Sequence, residues 1–248
     1  MVQTFTNTRS EEHFYLTSLL IELQGVPALR LMATSLDEAF VNDSLAHLRI
    51  ASYLSALSAV IDQLATTMEQ VSLHCTPQSF YHDIRPWFNG GSFLHLPSEQ
   101  LHTYGGPSAG QSSLVHALDV FLGILHDPQE NTTGHDETFM LRMSSYMPHH
   151  HRNFLRHLAR QEPTVRSLAM ESDVPELIEA YDGCIESLKK FRDAHMRVVY
   201  KFIMGPAREE KMKEARQAGQ KELKGTGGTN LVSFLKSTRD RTKQALLG

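Results

Sequence analysis

Along most of the chain the apolar residues return every three or four positions, the step that gathers them on one face of an α-helix. Leu16, Leu19, Leu20, Leu23, Val26 and, past a break at Gly25–Pro27, Leu31 keep this step. The stretch Ser44 to Val71 repeats it with Leu45, Leu48, Tyr53, Leu54, Leu57, Val60, Ile61, Leu64 and Met68. It contains neither Gly nor Pro and predicts one long helix. Thr76-Pro77 offers an N-cap followed by proline at the first helical position, opening a short helix to about Arg85 with Pro86 near its end. From Asn89 to Ser108, six Gly and Pro residues predict a loop.

Helical spacing resumes over Ser112 to Leu125, and Asp127 to Asp136 reads as a polar loop. Short helices follow at Thr138 to Tyr146, His149 to Ala159 and Val165 to Ala169. The last long helix runs from about Glu176 to Met204 and should stop at Gly205-Pro206. Residues 205 to 229, highly charged and ending in the hinge Gly225-Thr-Gly-Gly228, predict a mobile loop, and Asn230 to Leu247 a terminal amphipathic helix. No alternating β-branched window competes and no internal repeat is present. The expected fold is all-α: a single large helical domain over residues 1–248, with residues 1–13 as an N-terminal arm.

Composition narrows the function classes. With 41% hydrophobic residues the 248-residue chain can bury a real core, wide enough to enclose a cofactor between helices. Basic and acidic residues number 24 and 28, so the net charge of −4 argues against an electrostatic nucleic-acid partner. The longest apolar run, Val120-Phe-Leu-Gly-Ile-Leu125, falls far short of the roughly 18 residues that cross a bilayer, so no membrane partner is expected. Glu11, Glu12 and His13 precede the first apolar run without a basic stretch, which does not read as a secretory signal. Cys75 and Cys184 stand alone and suit a reducing, cytoplasmic setting.

The 14 histidines raise the question of a metal. None falls in His-Glu-x-x-His, and there is no Cys-x-x-Cys or phosphate-binding Gly-Lys loop motif. His149, His150 and His151 point in different directions from a helix start, so they cannot converge on one ion. His195 differs. It lies in the middle of the stripe Cys184, Leu188, Phe191, His195, Val199, Phe202. A neutral imidazole there must be hydrogen-bonded in the core or bound to a metal through one nitrogen. As a ligand, one protein donor suits a haem iron, whose porphyrin supplies four nitrogens. Arg192, one turn earlier, could reach a haem propionate or fix a carboxylate such as Asp119. Arg85 closes the aromatic-rich segment Phe80 to Trp87, and its guanidinium could grip a carboxylate bidentately or pair with Asp83. Gly105 to Ser113 opens a helix and could meet a polar ligand group, and Thr226 sits in a loop that could close over one.

Five segments in order resemble the indoleamine 2,3-dioxygenases: Ser108-Ala-Gly-Gln-Ser-Ser113 with Leu118 to Gly123, Tyr146-Met-Pro148 with His151 to Leu155, Arg192-Asp-Ala-His195, Lys224 to Thr229, and Asn230 to Lys236. The resemblance runs from about Phe14 to the C-terminus. It implies an all-helical domain enclosing b-type haem, which inserts both atoms of O2 across the indole 2,3-bond of L-tryptophan or another indole to give N-formylkynurenine or its analogue. By motif, His195 is then the proximal ligand of the haem iron, and Arg192, Asp119 and Ser108 lie near the haem. Phe14, Phe80, Tyr81 and Arg85 contact substrate, with Arg85 on the amino acid's carboxylate. Ser18 belongs to the distal pocket, and Thr226 to the mobile loop at the substrate ammonium. Tyr81 stands where a phenylalanine is usual, and Pro107 departs from the usual Gly-Gly-Ser-Ala-Gly. The family carries a small N-terminal domain over the indole pocket, whereas about 13 residues precede Phe14 here. The roof would then come from this arm or a neighbouring subunit of a homo-oligomer, or be absent. A haem monooxygenase of an indole derivative and an O2-binding or sensing haem protein are the alternative functions.

Overall fold

The computed structural model describes residues 3–94, 101–124, 139–214 and 231–248. Its centre is a pair of long helices, α3 (Ser44–Glu69) and α8 (Pro175–Val199). The predicted apolar stripes meet there: Ile50, Leu54, Leu57, Ile61 and Leu64 share one cluster with Leu177, Tyr181, Ile185 and Leu188, all essentially inaccessible to water. Each such side chain stabilises the fold by about 1.5–3 kcal/mol on burial. The polar groups carried into this seam are satisfied. Ser58 and Ser187 share a 2.9 Å hydroxyl contact, the Cys184 thiol donates to Leu54 O at 3.0 Å, and the Tyr181 hydroxyl donates to Leu122 O at 2.7 Å.

Around this pair lie α1 (Arg9–Gln24), α2 (Val26–Val41), α4 (Ser113–Phe121), α5 (Phe139–Ser144), α6 (His149–Leu158), α7 (Val165–Glu171), α9 (Gly205–Glu214) and α10 (Leu231–Gln244). Thr76 caps as the sequence predicts, its Oγ1 accepting from Ser79 N at 3.1 Å; Ser112 also caps α4, its Oγ accepting from Val115 N at 3.3 Å. His149, His150 and His151 are exposed at the start of α6. The all-α architecture is as expected.

Three local features differ from the sequence reading. The Gly-rich stretch after Asn89 contains an antiparallel hairpin, β1 (Gly91–Leu94) with β2 (Leu101–Tyr104), Gly91 opposite Tyr104. Four-residue strands are too short to show alternation. Gly205-Pro206 does not end the helical run. The chain passes through a π-helical turn, Tyr200–Met204, and re-enters an α-helix, because proline is tolerated in a helix's first turn. Residues 205–214 of the expected mobile loop are therefore helical, while 215–229, with Thr226, lie outside the described residues.

The third difference concerns α1. Its leucines repeat as predicted, yet Leu16, Leu19, Leu20, Leu23 and Val26 are 39–57% exposed, and the face turned inward carries Glu11 and Thr17. The periodicity identified the helix and misassigned its buried side. Two windows, Arg9–Val41 and Ser44–Leu73, are long and apolar enough to cross a membrane. The second contains α3, whose apolar side is buried in the core.

Candidate active site

His195 sits near the C-terminal end of α8, where three apolar clusters meet. Phe191, one turn before it, belongs to the main core. Met196 and Val199 pack with Leu235 of α10, and Val198 and Phe202 with an aromatic cluster. The ring is half-buried by contact, yet desolvation pulls its pKa from 6.5 down to about 4. Burial of its surroundings, with no charged neighbour contributing, is the cause. Among the described residues neither ring nitrogen has a hydrogen-bond partner. The ring is neutral at physiological pH and its lone pair is available.

One turn back, Arg192 and Asp119 are 7% and 1% exposed and form a direct ion pair from Nη2 to Oδ1. Arg192 Nη1 also donates to Thr238 O of α10 at 3.2 Å. A guanidinium has five N–H donors, so these two bonds leave others for a further acceptor. α8, α4 and α10 are thereby tied together just beside His195.

The other wall is aromatic. Phe80, Ile84 and Phe88 follow one another at four-residue steps and are all buried. Phe14 of α1 lies 4.9 Å from Phe80 and 5.6 Å from Phe88 between ring centres, and Phe80 meets Phe202 edge-on at 5.8 Å. Both Phe80 and Phe202 lie on π-helical turns, Ser79–Ile84 and Tyr200–Met204, which widen the backbone where the two elements touch. Such turns recur at functional sites. The guanidinium of Arg85 sits 5.4 Å from the centre of the half-buried Tyr81 ring. His82 Nδ1 lies 3.3 Å from Glu210 Oε1, linking this segment to α9.

The Gly-rich loop approaches the same segment backbone to backbone. A Cβ on Gly106 would stand 1.7 Å from Phe88 O, and one on Gly90 1.9 Å from Tyr104 O. Only glycine permits this contact. Ser108, half-buried, closes a capping box: its Oγ accepts from Gly110 N, and Gln111 Oε1 accepts from Ser108 N, both at 3.3 Å. Ser18 is exposed, and its hydroxyl donates to Phe14 O at 3.1 Å.

The structure thus brings together Phe14, Phe80, Tyr81 and Arg85 on one wall and Arg192 and Asp119 beside His195. It gives Ser108 a capping bond and leaves Ser18 on the surface. Phe88 and Phe202 complete the aromatic wall; the spacing 80, 84, 88 is the signal for Phe88. Glu11 and Phe5, described below, carry no such signal.

Among the described residues this is a helical domain whose central helix carries a half-buried, desolvated imidazole beside a buried arginine–aspartate pair and an aromatic cluster. The chain belongs to the indoleamine 2,3-dioxygenase family, whose model matches residues 1–245. It is 31% identical over 99% of its length to indoleamine 2,3-dioxygenase nanC of Aspergillus nanangensis, covering 62% of that protein. Against indoleamine 2,3-dioxygenase 1 of Rattus norvegicus the identity is 31% over 98%, covering 61%. Against 6-hydroxytryptophan 2,3-dioxygenase fscD of Fusarium equiseti it is 29% over 98%, covering 63%. The chain spans about six tenths of the length of these relatives.

Proposed function

We propose that this domain is the catalytic body of a haem-dependent dioxygenase that cleaves the indole 2,3-bond of L-tryptophan or a related indole. The observation that carries the reading is His195: half-buried, neutral and, among the described residues, without a hydrogen-bond partner, it could hold a haem iron through one ring nitrogen. Haem b, when bound, supplies the iron at which O2 is activated for insertion into the indole. Arg192, held by Asp119 and Thr238 O with donors to spare, suits a haem propionate. The relative named for 6-hydroxytryptophan supports a substrate class in which the indole ring varies.

The chain's own residues would bind and orient. Half-buried Phe14, backed by the buried Phe80, Phe88 and Phe202, would offer an apolar surface to the flat indole. Arg85, braced over Tyr81, would hold the amino acid's carboxylate, so that the ring rather than the polar end lies toward His195. Thr226 would meet the ammonium group, and Ser18 and Ser108 would border the distal side. Among the described residues the cluster holds no carboxylate free of the Arg192 pair, which suits a reaction that the electron-rich indole itself drives. The two buried thiols, with pKa values raised to about 11 and about 12 by burial, fit a reducing cytoplasm.

The test is an aerobic assay of reduced, haem-loaded protein with L-tryptophan under ¹⁸O2, with products identified by mass. Two labelled oxygens per product are expected. One label would make the protein a monooxygenase, and a normal haem spectrum without any product an O2-binding protein. Arg85→Ala should lower kcat/KM about 30-fold or more, the cost of truncating one partner of a buried charge pair, with haem content unchanged.

A further inference from the structure

The segment ahead of α1 is built rather than loose. Asn7 adopts a left-handed conformation (φ 52°), turning the chain back toward α1, and Thr6 and Thr8 share a 2.8 Å hydroxyl contact. Thr8 caps α1, accepting from Glu11 N at 3.3 Å. With Glu11 three residues on, the sequence reads as a capping box, in which the glutamate would return to the cap's own N–H. Here it reaches further. Glu11 Oε1 accepts from Phe5 N at 2.9 Å, and Oε2 from Thr6 N at 2.6 Å and Thr6 Oγ1 at 2.5 Å. The glutamate is wholly inaccessible to solvent, an expense that an ordinary surface cap does not require.

The folded-back segment lands on the substrate wall. The Phe5 ring stacks on Trp87, centres 4.9 Å apart and planes within 15°. Trp87 belongs to the short 3-10 turn Arg85–Phe88, which carries the guanidinium at one end and a member of the aromatic cluster at the other. The far side of the same region is tied to α1 as well: Ser10 Oγ donates to His74 O at 3.2 Å, and His13 Nε2 lies 2.9 Å from Gln70 O.

We propose that residues 3–8 form a strap, pinned by Glu11, that holds the Arg85–Phe88 turn through the Phe5–Trp87 stack, making Glu11 and Phe5 positioning residues for Arg85. This rests on the reading of Arg85 as the carboxylate-binding residue.

Trp87 is the chain's only tryptophan, so its emission reports the stack directly. The 248-residue chain is measured without substrate by acrylamide quenching of Trp87, and haem-loaded by steady-state kinetics with L-tryptophan. Phe5→Ala, a change at an exposed ring that should leave folding intact, is expected to increase quenching. It should also raise KM about three- to tenfold with kcat largely kept, the range that an aromatic pair contributes. Glu11→Gln, which turns an amide N–H toward the Phe5 or Thr6 N–H, should do the same, and Phe5→Tyr should restore both readouts. Increased quenching with unchanged KM in Phe5→Ala, while Arg85→Ala raises KM, would overturn the strap and leave the proposed function standing. Unchanged quenching would overturn it too, since the stack would then not exist in solution. Absence of any turnover by the wild type would overturn the function and the strap's role together.

Discussion

At the scale of single residues, the site depends on groups removed from water. Asp119 and Arg192 are both buried and answer each other's charge. Removing one charge from such a pair leaves the other desolvated and uncompensated. Asp119→Asn should therefore lower unfolding stability by about 3–5 kcal/mol, read from urea denaturation at constant m-value. A loss under about 1 kcal/mol, the worth of an exposed pair, would mean that water reaches it. His195, Arg192 and Asp119 were legible in the sequence because helical spacing places the first two on adjoining turns of one apolar helix, where any polar side chain stands out. Glu11 was not legible. Its Thr-x-x-Glu spacing is that of an ordinary cap, and nothing in the sequence says that its carboxylate bypasses Thr8 to hold residues 5 and 6. Ser18, matched by motif alone, lies exposed on α1 with its hydroxyl bonded back to Phe14 O, a placement the motif does not state.

At the scale of elements, the contact between the Gly-rich loop and the aromatic segment is the tightest in the site. Since a Cβ on Gly106 would meet backbone oxygen at 1.7 Å, neither partner can swing away as a side chain would. Gly106→Ala should cost about 1–3 kcal/mol or more, the penalty of overpacking, and lower kcat/KM with haem content retained. Unchanged thermal stability would show that the two backbones are not in contact. The strap gives a second prediction, on pH. Burial alone would raise the pKa of Glu11, but the bonds from Thr6 Oγ1, Phe5 N and Thr6 N outweigh it and leave the carboxyl below its usual value. The facing Tyr15 hydroxyl, itself raised by burial and by Glu11, stays neutral in the same range. A lowered carboxylate pKa contributes stability that is full above the ordinary value of about 4.3 and is lost as pH falls through the lowered one. The protection of the residue 5 and 6 amides, measured against their intrinsic exchange rate at each pH, should thus be lost only below that range. Loss of protection already near neutral pH would place the release on another group. The sequence located nearly every helix, because their faces are long enough to show a period. It missed the hairpin and the π-helical turns, whose few residues show none, and it read Gly205-Pro206 as a stop when only a helix start was encoded.

At the scale of the molecule, hydrophobic spacing states that a helix has an apolar side without stating what that side meets. α3 and α1 make the contrast. Both carry leucine-rich faces, yet Ile61 of α3 is fully buried against α8, while Leu23 of α1 is 57% exposed. A helix packed from one side only can bury polar groups among apolar ones, and in α1 the inward side holds Glu11 and Thr17, each satisfied by local bonds, beside the partly buried Phe14, Tyr15 and Ile21. This arrangement sets two substitutions against each other. Ile61→Ala should cost about 2–5 kcal/mol through lost transfer energy and a residual cavity. Leu23→Lys should stay within about 0.5 kcal/mol, as surface changes do. Both are read by thermal or urea unfolding of the same full chain. Comparable losses in the two variants would show that the leucine face of α1 is covered in solution.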